Sequence, residues 1–529
     1  MNLDVLDALR TVAVPVVLTG FTVAVALQFL RRHKASEEPV KRTKGHDLPF
    51  PPGPKPLPFL GNVLDLPRKN EWETITKWGH EYGDIVRVQI LGRSLIFVNS
   101  AKAAADLFEK RSAIYSDRPR LPLLNELMGH EWNFGFMPYG ETWRKHRRMF
   151  VSKFGPANVH VFNPIQERAS GQLLERFLNT PEDFLDHLRL HAGQLIMMSV
   201  YGIQVQSRKD RYIKVAQAVM DAVSEAAKPG AYLVDTFPFL KHIPSWFPGA
   251  FYQRIAKQWS SDLNELRWAP FLVSKKHLGK HSSTPSFVSE LLDEGNVGNE
   301  EAEAMIRDCA ALAYGAGSDT SVSTLSAFML AMVLFPDVQK KAQAQLDAII
   351  GSSRLPSFSD RQDLPYITAI AKETLRWHSV APQGLPHQLK ADDVYNGYFL
   401  PAGSLVVGNT WGILHDPEVY PDPQDFKPER FFDSEGKLDY FATDPAKYAF
   451  GYGRRVCAGF HYAENTLWIT IAFILATFDV TPALDKNGRP IPVRLDASSG
   501  VISHPLPFKC SLKPRSHQAK VLIQQANLN

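Results

Sequence analysis

Hydrophobic and polar positions change their rhythm several times along this chain. Residues 11–30 run for about 20 positions without a charge, enough for one helical crossing of a hydrocarbon core. Residues 85–99 (IVRVQILGRSLIFVN) are rich in β-branched positions around Gly92 and predict a hairpin. From about 100 to 290 helical periodicity dominates, broken by proline and glycine. Residues 299–334 predict one long, largely apolar helix ended by Phe335-Pro336. Residues 336–350 and 365–380 predict two more, the latter stopping before Pro382. Residues 393–408 alternate weakly and hold Asn396-Gly397, a hairpin turn signal. Residues 413–449 are rich in Pro, Asp and Gly and predict an irregular meander. A final helix is predicted over 457–478, with short β pieces after it and a frayed tail from Pro514. The pattern therefore predicts a mainly α chain with a smaller β part.

The flanks of the first apolar run give it an orientation. Arg31, Arg32, His33 and Lys34 follow it at once, while Asp4 and Asp7 precede it with only one base, Arg10. The positive-inside rule then places the C-terminal bulk in the cytoplasm. Ala24-Val25-Ala26 offers a cleavage site for the rival reading, a signal peptide. The acidic start and the length of the apolar run favour an uncleaved anchor. Residues 48–59 (LPFPPGPKPLPF) fix φ repeatedly and predict a stiff extended connector. The division expected is an anchor with its basic flank (1–34), a proline-rich hinge (35–60), a catalytic domain (61–513) and a polar C-terminal tail (514–529).

Composition narrows the class. The 529 residues are 44% hydrophobic and 22% charged, as in globular proteins. The net charge is only +4, with no basic stripe interleaved with aromatics, which argues against nucleic acid as a partner. Three cysteines, Cys309, Cys457 and Cys510, do not make a disulfide framework and fit a reducing compartment.

One cysteine has a setting that asks for chemistry. Residues 450–459 read FGYGRRVCAG. Gly451, Gly453 and Gly459 permit tight turns and close approach of a flat ligand. Cys457 is expected to open the following helix, whose N-terminus stabilises a thiolate. Arg455 is within reach of an anionic group on the same ligand. Phe450, Gly453, Arg455, Cys457 and Gly459 together fit one motif. It resembles the haem-binding signature of the cytochrome P-450 family.

Other segments extend the resemblance in family order. Glu373 and Arg376 in KETLRWH share a helix face. Residues 427–431 (KPERF) supply Arg430, which in the family joins that pair in a buried structural network. Trp143 and Arg147 in ETWRKHRR match the W-x-x-x-R motif that binds a haem propionate, and His387 in LPHQL stands where relatives place another propionate ligand. Residues 313–320 (AYGAGSDT) place Gly315, Gly317, Asp319 and Thr320 inside the long apolar helix, against its local preference. The resemblance makes Thr320 and Asp319 the catalytic pair, hydrogen-bonding dioxygen and relaying protons from water across a groove over the haem.

The resemblance implies the cytochrome P-450 fold, haem b ligated by Cys457 as metal ligand, and a monooxygenase acting on a hydrophobic or amphipathic small molecule. It implies electrons from NADPH through NADPH-cytochrome P-450 reductase, with cytochrome b5 as a further partner and Arg454 on the docking side. It also implies single-pass residence in the endoplasmic reticulum membrane. The stretches 125–132 (NELMGHEW), 246–250 (WFPGA) and 416–423 (DPEVYPDP) resemble fungal microsomal members of secondary metabolism. Rival readings are a haem-thiolate isomerase or dehydratase that needs no reductase, a haem-based sensor, and a membrane scaffold. The Asp319-Thr320 pair argues against the first, the lack of an output domain against the second, and the cysteine loop against the third.

Overall fold

The computed structural model describes residues 48–526, apart from 68, 229, 279–284, 440, 441 and 443. The stretch expected to be a membrane anchor lies outside the described residues. Among the described residues no single helix is long and apolar enough to cross a membrane.

The longer helices are α1 (Glu71–Tyr82), α2 (Glu141–Phe154), α3 (Asn163–Asn179), α4 (Phe184–Tyr201), α5 (Arg211–Ala226), α6 (Phe251–His277), α7 (Glu300–Leu334), α8 (Pro336–Ile349), α9 (Pro365–Trp377), α10 (Phe460–Thr477) and α11 (His517–Gln525). The strands are β1 (Ile85–Ile90), β2 (Arg93–Val98), β3 (His387–Gln388), β4 (Asp393–Tyr395), β5 (Tyr398–Leu400), β6 (Leu405–Gly408), β7 (Phe478–Pro482) and β8 (Cys510–Pro514). The protein is mainly helical with small sheets.

The axis of the molecule is α7. The Asn299 side chain caps it by accepting from Ala302 N, and Glu300, Glu301 and Glu303 occupy its first turn, where the helix dipole favours acids. Most of its length is buried because it is surrounded: α2, α4, α5, α6, α9 and α10 all pack on it. Proline at N1 starts both α8 and α9, where no amide donor is needed.

Strands β1 and β2 form the expected hairpin, turning at Leu91 (φ 47°) and Gly92 (φ 78°). Strands β4 and β5 form the second, turning at Asn396 (φ 49°) and Gly397 (φ 79°). The rest of the 393–408 stretch behaves differently from expectation. After Gly403 (φ 81°) the chain leaves that hairpin, and β6 runs parallel to β2 and antiparallel to β3, giving the sheet order β1-β2-β6-β3. The buried Val406 and Val407 gain a two-sided apolar environment by this move.

Two further expectations are corrected. The tail beyond Pro514 is not frayed: Ser516 caps α11 through Ala519 N, and Ala519, Leu522 and Ile523 are buried against α3 and α10. The polar surface residues of α11 hid a short apolar stripe. The proline-rich segment is also more than a connector. Pro49 and Pro52 accept hydrogen bonds from Phe399 N and Arg87 N, and the Arg87 guanidinium sits 4.1 Å from the Phe50 ring centre.

Candidate active site

The cysteine loop is built by backbone hydrogen bonds. Cys457 N donates to Phe450 O at 2.8 Å, closing residues 450–457 into a compact turn. Gly451 and Gly453 take φ values of 85° and 52°, the left-handed region that glycine tolerates. At Gly453 a Cβ would lie 2.0 Å from Phe108 O, so the loop rests directly on backbone. Gly459 differs: its φ is −92°, and a Cβ there would meet nothing within 4 Å. Its freedom lies on the open side of the loop. The Phe450 ring packs edge-on to Phe460, 4.6 Å between centres, and anchors the loop to α10.

Cys457 does not open α10 as expected. The helix begins at Phe460 with Gly459 as its cap, and the cysteine precedes it in the loop. The Gly459 amide hydrogen-bonds the sulfur and the Arg147 guanidinium acts on it, both favouring thiolate, yet burial outweighs them and pushes the thiol up. A coordinated metal reverses that balance, because metal binding deprotonates a thiol outright. The side chain is accessible although the residue lies deep in the molecule, so the sulfur opens on interior space.

Further polar chemistry comes from α7. At its centre Leu312, Ala316 and Thr320, spaced by four, are half-buried along one stripe, and Gly317, Ser318 and Ser321 are half-buried as well. Thr320 Oγ1 donates to Ala316 O at 3.0 Å, leaving the hydroxyl oxygen able to accept. Asp319 is buried beside it, and its Oδ2 lies 3.2 Å from His504 Nε2. The glycines of this motif do not form the expected groove. A Cβ on Gly317 would lie 2.7 Å from Ile196 Cδ1, and one on Gly315 would lie 3.6 Å from Met220 Sδ. Both glycines face neighbouring helices, Gly317 to let α4 approach closely.

A cluster of buried cations flanks the loop. Arg455 donates to Ser116 O (2.7 Å), Phe134 O (3.2 Å) and Met137 O (2.7 Å), and its guanidinium lies 4.7 Å from the Trp143 ring centre. The Trp143 indole N–H goes to Phe134 O at 3.0 Å, so here Trp143 is a platform for Arg455 and not a free donor. Arg147 Nη1 donates to Val456 O at 2.6 Å, tying α2 to the residue before the cysteine. His387, in β3, is buried, with Nδ1 donating to Tyr115 O at 2.6 Å. Burial and the charges of Arg118 and Arg455 push it far below the ordinary histidine range, so it is neutral.

Arg118 is the residue that sequence reasoning missed. It is buried, donates to Gly135 O (3.1 Å), Leu385 O (2.7 Å) and Pro386 O (2.8 Å), and is driven far down by burial and by Arg455. No ion pair joins Arg118, Arg147 or Arg455 to a carboxylate among the described residues; Asp117 is the one acid that acts on Arg118 and Arg455. Buried charges require compensation. Three guanidiniums against one carboxylate suit a dianion. The donor set therefore fits haem: a thiol open to interior space, a loop with room for a flat face at Gly459, and cations for two carboxylates. The signal for Arg118 was its place in a short polar run, SDRPR, ahead of an apolar loop; only tertiary contact joins it to Arg455.

Behind the loop lies the network of Glu373, Arg376 and Arg430. Arg376 grips Glu373 with two bonds of 2.8 Å, both side chains fully buried. Arg430 Nε and Lys427 N donate to the same carboxylate at 3.1 and 2.8 Å. Arg376 continues to Leu414 O, Pro423 O and Asp425 O, and thereby pins the irregular meander to α9.

Comparison with known proteins agrees with this geometry. The family model described as Cytochrome P450 matches residues 51–512. A cytochrome P450 monooxygenase of Armillaria gallica is 42% identical over 483 residues, covering 90% of this chain and 94% of its own. The tryptamine 4-monooxygenase of Psilocybe cyanescens is 40% identical, covering 89% of this chain and 94% of its own. A cytochrome P450 monooxygenase of Ampulloclitocybe clavipes is 40% identical over 520 residues, 98% of this chain and 95% of its own. With the cysteine loop, the buried cations and the Asp-Thr helix in family order, the chain belongs to the cytochrome P450 family, the haem-thiolate monooxygenases.

Proposed function

We propose that this enzyme hydroxylates a hydrophobic or amphipathic small molecule of fungal secondary metabolism. Its electrons come from NADPH through the reductase, with cytochrome b5 as a second partner. The observation that carries the reading is the thiol of Cys457, deep in the fold and accessible, beside the buried Arg118 and Arg455 and the half-buried Arg147, with too few acids. Cys457 is the metal ligand. Arg118, Arg147 and Arg455 would hold the haem carboxylates, with His387 and Trp143 beside them. Haem, when bound, supplies iron whose dioxygen chemistry inserts an oxygen atom into a C–H bond. Thr320 would accept and donate hydrogen bonds at the reacting centre, and Asp319 would relay protons from water.

The substrate class rests on the lining. Leu121, Leu127, Phe136, Phe239, Phe247 and Leu312 are partly buried hydrophobics on one apolar cluster. The relative from Psilocybe cyanescens is a tryptamine 4-monooxygenase, which is compatible with an aromatic substrate. Residence on the endoplasmic reticulum membrane, through an anchor in residues 11–30, is supported by exposed apolar side chains: Phe59 at the end of the hinge and Leu64 after it are 55% and 72% exposed, and Trp246, far along the chain, is 76% exposed.

The test is the carbon monoxide difference spectrum of the reduced, full-length protein and of Cys457→His. A strongly red-shifted Soret band in the parent, lost in the variant, is expected. A band typical of neutral-histidine ligation in the parent, or folded protein without haem, would overturn the reading.

A further inference from the structure

Asp319 and Ser323 stand one turn apart on α7, on the same face, and both meet the segment at 503–504. His504 Nε2 lies 3.2 Å from Asp319 Oδ2. Ser323 Oγ donates to Ser503 O at 2.6 Å and lies 2.9 Å from His378 Nε2. Ser503 N donates to Val380 O at 2.8 Å, which locks this segment against the end of α9. Two hydroxyls of the same neighbourhood, Ser379 Oγ and Ser503 Oγ, are buried without a partner among the described residues. Buried polar groups are normally satisfied, so each of these is placed to hold a water. The result is a polar strip along one side of an otherwise apolar helix.

Only one histidine in the strip is open to solvent. The His504 side chain is 32% exposed, against 8% for Asp319. His378 is buried and held down at about 4, chiefly by burial, so it stays neutral and serves as a hydrogen-bonding post. The titratable groups facing His504 are Asp319 from α7 and His378 from the end of α9. On its own hairpin, Asp496 is engaged by Arg494, and His504 N is held by Ser498 Oγ at 2.9 Å.

We propose that His504 is a positioning residue for Asp319 and the point at which the relayed proton enters. The imidazolium hands its Nε2 proton to Asp319 Oδ2, leaving a neutral ring and a neutral acid, and solvent then reprotonates the ring. A histidine here, and not an arginine or lysine, makes the contact both a clasp and a proton donor. The inference rests on the monooxygenase reading.

The test uses full-length holoenzyme with reductase, NADPH and dioxygen alone, comparing parent, His504→Ala and His504→Gln. Gln keeps a donor for Asp319 but has no ring proton to relay. Two quantities are read: peroxide released per NADPH consumed, and melting temperature in a double-mutant cycle with Asp319→Asn. Expected are at least a twofold rise in peroxide per NADPH for both variants, and non-additive melting shifts when His504→Ala is combined with Asp319→Asn. Unchanged peroxide yield in variants that keep the red-shifted carbon monoxide band, or additive melting shifts, would overturn the proposal. A parent lacking that band would instead overturn the monooxygenase reading, so the two failures are distinguishable.

Discussion

Gly453 shows how little room the cysteine loop has. Its φ of 52° and the carbonyl of Phe108 against its α-carbon leave no place for a methyl group. Gly453→Ala must push the loop off the 105–110 turn, at a cost of about 1–3 kcal/mol. The expected outcome is a lower melting temperature and a reduced haem-to-protein ratio, measured by absorbance after purification. Gly459 carries neither constraint within the protein. The two glycines looked equivalent in the motif, and only the surrounding atoms separate them.

Among elements, the contacts of α7 and α9 make two testable statements. Gly317→Ala drives a methyl group into Ile196 on α4, whereas Gly315→Ala makes ordinary contact with Met220 and Leu266. The first is expected to destabilise by about 1–3 kcal/mol. The second is expected to be neutral or to gain up to about 1 kcal/mol from helix propensity. Chemical denaturation of the two variants checks the contrast, and Ile196→Ala should rescue Gly317→Ala. On α9, Glu373→Ala leaves Arg376 and Arg430 buried without their acid, a loss of about 3–5 kcal/mol. Because Arg376 also holds the carbonyls of Pro423 and Asp425, the meander should loosen with it. Limited proteolysis within 415–435 is expected to accelerate in that variant.

At the scale of the molecule, two distant segments meet on the apolar cluster that holds Leu123, Leu124, Val234 and Leu240. Leu123 N donates to Asp235 Oδ1 at 3.0 Å, and Glu126 pairs with both Arg120 and Lys241. The two acids respond to pH with opposite sign. Burial raises Asp235 to about 6, above its unfolded value of about 4, so the folded state holds the proton longer. Its penalty on stability therefore grows as pH rises from about 4 through 6 and is constant above. Glu126 is lowered to about 2, chiefly by its hydrogen bond to Arg120; its contribution is present above about 4.5 and is lost as pH falls toward 2. Asp235→Asn is expected to raise the melting temperature at pH 7–8, with the gain shrinking toward pH 4. An equal gain at both pH values would contradict the assignment.

Sequence alone determined what depends on local order. The hairpin turns at Gly92 and Gly397, the length of α7, the prolines that start α8 and α9, and the motif around Cys457 all follow from near neighbours and their dihedral preferences. So did the residues to watch in the candidate site, because motif spacing preserves them. Tertiary structure decided what depends on which surfaces meet. It moved β6 out of its hairpin into the larger sheet, turned residues 517–525 into a packed helix, and set Cys457 in a loop ahead of α10. It also gave Gly317 to Ile196, Trp143 to Arg455, and brought Arg118 and His504 to sites that no local pattern announces. The physical reason is the same throughout. Periodicity and turn chemistry act over a few residues, whereas desolvation, packing and charge compensation act between residues hundreds of positions apart.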